Sequence, residues 1–230
     1  QSLARFISTA APVSQVRAPR LAQRIRDGLN SDLVSLVKGP FVESLPDFEK
    51  GNSISALVDK GVLNAAWGEL ANTDDGKKIF DRPLHKHQAD ALLRSQENYL
   101  VATGTGSGKT EAFLFPLIND LLTQDLSKPG VRAVLVYPLN ALANDQMQRI
   151  ARLLFKDLGD PSITLGRYTG HVRSGATRNE EERRIVETPT FQRDFGAARS
   201  VPKHWLLSRS EMLDNPPHIL VTNYAMLEHI

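Results

Sequence analysis

The amino-acid sequence predicts an α/β fold with a parallel sheet, preceded by a mostly helical N-terminal extension. From residue 81 onward, short apolar runs alternate with helical patterns, which is typical of a doubly wound parallel sheet. The run at 131–137, VRAVLVY, is β-branched and almost wholly apolar, as expected of a strand covered by helices on both faces. A glycine-rich turn joins an earlier apolar run to a helix. We expect strands at 99–102, 131–137, 163–168 and 219–221.

The stretch 98–110, NYLVATGTGSGKT, carries the clearest chemical signal in the chain. It predicts a buried strand, a glycine-rich turn and the first turn of a helix. Glycines such as Gly106 and Gly108 let the backbone curl so that successive N–H groups point at an anion. Lys109 adds a cation for the β- and γ-phosphates, and Thr110 offers a hydroxyl to Mg²⁺. The pattern is that of a P-loop; the alternative is a glycine-rich turn that happens to carry a lysine.

Composition restricts the class of protein. Hydrophobic residues make up 41% and charged residues 23% of the 230 positions, as in an ordinary globular chain. Cysteine is absent, so a disulfide framework and a cysteine metal site are impossible, and we expect a reducing, cytoplasmic location. The net charge is only +2, so any nucleic-acid contact must come from groups placed on one face. Since the sequence starts at Gln1 and stops inside an apolar helical run, we expect a piece of a longer protein.

The first 80 residues predict an extension without a catalytic signature. Apolar residues recur at helical spacing between 21 and 37, and Gly39-Pro40 ends that pattern. In the less regular stretch 40–80, Ser53 is placed to cap a short helix at 54–59. We interpret this stretch as a connector wrapped on the following domain, and the first helix either braces that domain or simply packs on its core. The predicted division is therefore 1–80 for the extension and 81–230 for the α/β domain.

A helix that starts at Pro83 precedes the P-loop and carries two candidate base contacts. A glutamine amide such as that of Gln88 can pair with the N6/N7 edge of adenine, and the ring of His85 can stack on the base. The alternative for Gln88 is a solvated side chain on a helix.

The segments 103–110, 137–142, 168–170 and 222–224 all follow predicted strands. Because parallel sheets bind ligands at the carboxyl ends of their strands, we expect these segments to form one functional edge. Between the third and fourth strands, the segment 167–209 holds nine Lys and Arg against five acids, a net charge of +4. It is interpreted either as a basic insertion along a nucleic-acid backbone or as a solvated excursion with a short charged helix.

Four motifs occur in a characteristic order: TGTGSGKT, VYPLNALANDQ, RYTG and ILVTNYAMLE. In this order they resemble the first RecA-like domain of superfamily 2 DEAD/DEAH-box helicases, a P-loop NTPase fold. The stretch GPFVESLPDFEKG followed by RPLHKHQADAL is similar to a branch of large bacterial helicases. That branch includes DNA-repair enzymes and helicases of phage-defence systems. The resemblance covers about residue 40 to the end.

The resemblance implies ATP and Mg²⁺ as cofactors and assigns roles to single residues. Lys109 and Thr110 would be catalytic, with Thr110 also a ligand of the metal. The expected nucleotide contacts are His85, Gln88, Thr105, Gly106, Ser107, Gly108, Lys109, Thr110 and Glu111. The expected contacts to the nucleic-acid strand are Pro138, Leu139, Asn140, Ala141, Thr169, Gly170, Thr222 and Asn223. Helix N-termini with Thr and Asn side chains suit phosphate contacts that hold a strand without recognising its bases.

The sequence contains neither an Asp-Glu-Ala-His nor an Asp-Glu-Ala-Asp motif. The resemblance implies that Walker B carboxylates follow shortly after Glu228 and that a second RecA-like domain supplies an arginine finger. We therefore expect this chain alone to hydrolyse ATP feebly or not at all. The expected partners are DNA, most simply a single strand, the second RecA-like domain, and other subunits of a defence or repair complex. RNA stays open as the track, and no membrane contact is expected.

Several functions fit these motifs. The first is an ATP-driven helicase on DNA, and the second is a duplex translocase without strand separation. The third is a nucleotide-gated scaffold subunit that has lost turnover. A P-loop small-molecule kinase is disfavoured, because such an enzyme does not need the motifs at 169–170 and 222–223 on the same edge.

Overall fold

The computed structural model describes residues 18–29, 47–94, 97–104, 106–170, 172–173 and 175–227. The chain divides into two compact units, Gln1–Asp47 and Phe48–Ile230. In the described part of the first unit, helix α1 spans Pro19–Leu29. The rest of the predicted N-terminal helical region lies outside the described residues, and the domain boundary near residue 80 stays a prediction. Among the described helices, none is both long enough and apolar enough to cross a membrane.

The second unit starts with a small antiparallel pair of strands and short helices. Strand β1 (Lys50–Ser53) pairs with strand β2 (Pro83–His85). Ser53 Oγ accepts from the Ala56 N–H at 3.2 Å, so the predicted cap of the helix at 54–59 is confirmed. The elements are β1 (Lys50–Ser53), α2 (Ile54–Asp59), a 3₁₀ helix (Ala65–Asn72), α3 (Asp74–Asp81), β2 (Pro83–His85) and α4 (Lys86–Leu93).

A four-stranded parallel sheet forms the centre of this unit, with helices on the connections between its strands. Its strands are β3 (Ala133–Tyr137), β4 (Leu165–Tyr168), β5 (Trp205–Leu206) and β6 (Ile219–Asn223). They lie in the order β3, β6, β4, β5, and every pairing is parallel. The carboxyl ends of the strands therefore meet at one edge, where Asn223 lies opposite Tyr137 and Thr222 lies opposite Tyr168. The predicted α/β fold with a parallel sheet is confirmed.

The remaining helices follow the order expected of a doubly wound sheet. Among the described helices, the P-loop helix α5 (Lys109–Leu121) and helix α6 (Asn140–Arg152) are the longest, with 13 residues each. Helix α6 continues into a π-helical stretch at Leu153–Asp157. The helices are α5 (Lys109–Leu121), α6 (Asn140–Arg152), α7 (Arg178–Val186), α8 (Pro189–Phe195), α9 (Arg209–Asp214) and α10 (Tyr224–Leu227).

The stretch before the P-loop packs on helix α5. Trp67 is fully buried, and its ring lies edge-on to Phe115 with the centroids 5.3 Å apart. Asn119 Oδ1 accepts from the Asn64 N–H at 2.8 Å and from Trp67 Nε1 at 3.2 Å. The predicted connector is therefore part of the same hydrophobic core as the P-loop helix.

The predicted strand at 99–102 is wrong. None of these residues is in a strand, and the Leu100 side chain is 92% exposed. Tyr99 is instead fixed by its hydroxyl, which donates to the Ala112 carbonyl at 2.9 Å. An apolar run becomes a strand only where a neighbouring strand accepts its backbone hydrogen bonds, and among the described strands β3 pairs only with β6. Of the four segments expected to follow strands (103–110, 137–142, 168–170 and 222–224), the P-loop segment 103–110 consequently does not follow a described strand of this sheet.

Candidate nucleotide and nucleic-acid site

The backbone of the P-loop has the geometry of an anion cradle. Gly106 and Gly108 both adopt positive φ angles, of 77° and 73°. Gly108 is the N-cap of α5, so the turn delivers the chain directly into the N-terminal end of that helix. A Cβ at Gly108 would lie 2.4 Å from Gln88 Nε2 and 2.9 Å from Glu111 Oε2. The positive φ favours glycine at this position, as the sequence predicts for a phosphate-binding turn, and a larger residue would also displace the Gln88 and Glu111 side chains.

The side chains of the loop are bonded to the loop itself. Lys109 Nζ donates to the Thr103 carbonyl at 2.9 Å and to the Gly104 carbonyl at 2.7 Å. The Ser107 hydroxyl is buried and hydrogen-bonded to the Thr103 hydroxyl. The Thr110 side chain lies half-buried in the first turn of α5. Of the predicted contacts, Thr105 lies outside the described residues.

Gln88 is tied to the P-loop through its amide. It is buried, its Nε2 donates to the Gly108 carbonyl at 2.9 Å, and its Oε1 accepts from the His85 N–H at 2.8 Å. Because the Gln88 side chain is only 1% exposed, contact with an adenine edge requires that the amide first become accessible. In this conformation Gln88 supports the turn at Gly108, and its role as a base contact stays a prediction.

His85 belongs to a small aromatic group beside the loop. Its ring stacks on His87, with the centroids 5.7 Å apart, and Phe48 meets it edge-on at 5.1 Å. Burial lowers the pKa of His85, and the nearby charge of Lys50 lowers that pKa further, so the ring is held neutral at pH 7. Phe48 is an aromatic side chain of this region that the sequence analysis did not select as a site residue. Its place in the GPFVESLPDFEKG stretch is the signal that could have found it.

Glu111 connects the P-loop helix to helix α6. Its Oε1 accepts a hydrogen bond from Arg149, and its Oε2 is buried without a partner. Sequence reasoning missed Arg149, because an arginine in the third turn of an amphipathic helix resembles an ordinary surface residue. The Glu111–Arg149 pair therefore links the P-loop helix α5 to helix α6, which begins at the carboxyl edge of the sheet.

At the carboxyl edge of the sheet, the structure brings three of the four expected segments together. Asn223 Nδ2 donates to Asn140 Oδ1 at 2.5 Å, and Thr222 Oγ1 donates to the Tyr168 carbonyl at 2.7 Å. Thr169 is fully buried, and its hydroxyl has no partner. The predicted contacts that remain at the surface are Pro138, Leu139, Ala141 and Gly170.

Arg209 is a second residue that the motifs did not reveal. Its guanidinium lies over the Tyr168 ring, 5.0 Å from the centroid, and it donates to the Thr169 carbonyl at 3.3 Å. Arg209 is the last residue of the basic segment 167–209. The end of that segment therefore lies at the carboxyl edge of the sheet, which the net charge of the segment did not predict.

Comparison with known proteins agrees with this geometry. Residues 82–195 match the sequence profile of the family "DEAD/DEAH box helicase". Druantia protein DruE of Escherichia coli (strain UMEA 4076-1) is 29% identical over 269 aligned positions, covering 85% of this chain and 14% of DruE. The ATP-dependent helicase Lhr-Core of Sulfolobus acidocaldarius is 29% identical over 168 positions, covering 66% of this chain and 18% of Lhr-Core.

A solved structure has the same fold. The crystal structure of the DUF1998 helicase MrfA bound to DNA and AMPPNP superposes with a TM-score of 0.50 at 18% identity, covering 79% of this chain and 19% of MrfA. The chain thus spans less than a fifth of the length of each of these three relatives.

The profile match, the relatives and the fold agree on the class of protein that this chain resembles. The chain is similar to the helicase superfamily, and its resemblance is to a first RecA-like domain of the DEAD/DEAH-box type.

Proposed function

We propose that this chain is the nucleotide-binding part of an ATP-driven motor that moves along a DNA strand and separates duplexes in the full-length protein. The observation that carries the proposal is the P-loop turn. Gly108, the N-cap of α5, has a left-handed backbone conformation, and Lys109 is the first residue of the helix. MrfA, which shares the fold, was crystallised with DNA and AMPPNP, and this supports DNA and ATP as ligands here.

The P-loop residues fit ATP with Mg²⁺. Positive-φ glycines, the free N-terminal end of α5 and Lys109 suit a triphosphate, and the Thr110 hydroxyl in the first turn of α5 suits a magnesium ligand. ATP, when bound, supplies the phosphoryl group whose transfer to water drives the motor. Lys109 would exchange its bonds to the Thr103 and Gly104 carbonyls for phosphate oxygens.

The sheet edge is proposed to hold the nucleic-acid strand. Its Asn140–Asn223 hydrogen bond sets the start of α6 beside the end of β6, and helix N-termini bind phosphates without recognising sequence. The Glu111–Arg149 pair is the proposed mechanical link, because it joins the P-loop helix to the same helix α6. A second RecA-like domain would complete the ATP site, so we propose that the chain alone turns over ATP feebly or not at all.

Two assays on the full-length protein test the motor. Wild type is expected to unwind a forked DNA duplex with ATP, and Lys109→Ala is expected to leave it intact. Displacement of a triplex-forming strand without unwinding would assign a duplex translocase instead. ATP binding without either activity would assign a nucleotide-gated scaffold. RNA substrates in parallel reactions decide between DNA and RNA as the track.

A further inference from the structure

A cavity of about 360 Å³ is bounded by strands β4 and β5, helices α6 and α7 and the start of α8. None of its lining residues belongs to the P-loop or to the predicted contacts with a nucleic-acid strand. Its volume falls within the range of about 300–1,000 Å³ that is typical of sites for small organic molecules. The cavity is therefore a candidate site separate from the one described above.

Arg167, on β4, places a cation in the wall of this cavity. In the part of the chain that the structure describes, the half-buried Arg167 forms no ion pair, and its guanidinium donates to the Asn144 side-chain oxygen, which also lines the cavity. Glu181 is engaged elsewhere, because Arg184 donates to its two carboxylate oxygens at 3.0 and 3.2 Å. Burial lowers the pKa of Arg167, and the charge of Glu181 opposes that effect only in part. A partly desolvated cation of this kind favours an anion that comes from outside the chain.

The rest of the wall limits the charge and the body of such an anion. Two acids line the cavity, the buried Glu181 and the exposed Asp145, so a second negative charge on a ligand would meet repulsion. One negative charge is matched by Arg167, since Arg184 already neutralises Glu181. Five further lining residues are apolar and suit a carbon body: Met147, Ile185, Trp205, Leu206 and Leu207.

We propose that this cavity binds a small organic monocarboxylate, with Arg167 paired to its carboxylate and the apolar wall packed against its carbon body. A guanidinium offers two parallel N–H donors, which match the two oxygens of a carboxylate. Binding would supply the counter-ion that Arg167 lacks and would bury apolar carbon next to it. The inference does not rest on the proposed motor, because the cavity shares no residue with the P-loop.

Three probes that share one aromatic ring and differ in charge test the proposal. Binding of benzoate, benzyl alcohol and phenyl phosphate to the full-length protein is measured by ligand-observed NMR titration. Benzoate is expected to bind wild type at least about 10-fold more tightly than neutral benzyl alcohol, the effect of one charged hydrogen-bonded pair. Phenyl phosphate, which carries more negative charge, is expected to bind the Arg167-dependent site more weakly than benzoate.

Substitutions on the cavity wall assign the binding to Arg167. Arg167→Gln is expected to weaken benzoate binding by about 10- to 150-fold, and Arg167→Lys, which keeps the charge but not the paired donors, by less. Arg183→Gln is the matched control, because Arg183 lies on the same helix as Arg184 but outside the cavity lining, and it is expected to bind benzoate as wild type does. Circular dichroism checks that each variant is folded. If Arg167→Gln does not fold, the comparison of benzoate with benzyl alcohol on wild type decides.

Four results would overturn the site. The first two are no benzoate binding by wild type and equal binding of benzyl alcohol and benzoate. The third is benzoate binding that a folded Arg167→Gln variant leaves unchanged. The fourth is tighter Arg167-dependent binding of phenyl phosphate than of benzoate, which would assign a phosphate ligand instead. If Arg167→Gln weakens binding of a fluorescent oligothymidine while wild type ignores benzoate, Arg167 contacts nucleic acid and the carboxylate site is refuted.

Discussion

Asn223, at the carboxyl end of β6, donates a 2.5 Å hydrogen bond to the side-chain oxygen of Asn140, the first residue of α6. The Asn223 side chain also accepts from the Met226 N–H at 2.8 Å and so caps α10. One amide thus connects two motifs that are 83 residues apart in sequence. These motif residues therefore stabilise the carboxyl edge of the sheet.

The first prediction concerns this asparagine pair. Asn140→Ala is expected to lower the free energy of unfolding by about 1 kcal/mol, the net value of one hydrogen bond, and Asn223→Ala by more because it also loses the cap. The double variant is expected to be no less stable than Asn223→Ala, because both single changes remove the same bond. Urea unfolding of the four proteins measures the cycle, and strictly additive losses would refute the coupling.

The second prediction concerns the glycine at the start of the P-loop helix. Gly108→Ala is expected to weaken nucleotide binding by about 5- to 30-fold, because a left-handed φ of 73° costs a non-glycine residue about 1–2 kcal/mol and the Cβ would displace the Gln88 amide, whose Nε2 would lie 2.4 Å away. Gly104→Ala is the matched control, since the nearest atom to its Cβ is Phe48 Cζ at 3.8 Å. Titration with a fluorescent ATP analogue compares the two. Tight binding by Gly108→Ala would contradict the assigned geometry.

The third prediction concerns the junction between the connector and the P-loop helix. Asn119→Ala is expected to destabilise the protein by about 2–4 kcal/mol, because it leaves the Asn64 N–H and the buried Trp67 indole N–H without an acceptor. Asn72→Ala removes an exposed hydrogen bond to Glu69 and is expected to change stability little. Thermal unfolding of both variants provides the measurement. Equal midpoints would mean that the connector does not depend on this contact.

The fourth prediction concerns the pH dependence of stability. Burial raises the pKa of Asp157, against the opposing effect of Arg152, whose Nε lies 3.6 Å from its carboxylate. A carboxyl whose pKa is raised on folding binds more protons in the folded state, so its ionisation destabilises the fold as pH rises above the ordinary aspartate range. Asp157→Asn is expected to be more favourable relative to wild type at pH 8 than at pH 4.5. Denaturant titrations at both pH values test this, and a pH-independent difference would count against it.

Parts of this structure followed from the sequence because they depend on local chemistry. Three features depend only on residues that are close in sequence. They are the Ser53 cap, the apolar runs that form β3, β4 and β6, and the glycines of the P-loop. The strand at 99–102 failed because strand formation needs a partner, and an apolar run does not show whether one is present.

The site was less predictable than the fold. Motif matching selected Thr169, Thr222 and Asn223 as surface contacts, but whether a side chain at a strand end faces solvent depends on packing against distant elements. Neither Arg149 nor Arg209 was selected as a site residue from the sequence, because their partners, Glu111 and Tyr168, are about 40 residues away. Long-range pairs of this kind are visible only in three dimensions.

The central claim is that the P-loop drives a nucleic-acid motor, and one measurement tests it most directly. It is the rate of ATP hydrolysis by the full-length protein with and without single-stranded DNA, beside Lys109→Ala. The account predicts strong stimulation by the strand and loss of turnover in the variant, because Lys109 is the cation of the phosphate cradle. Near-normal turnover by Lys109→Ala, or a wild-type rate that no nucleic acid changes, would contradict it.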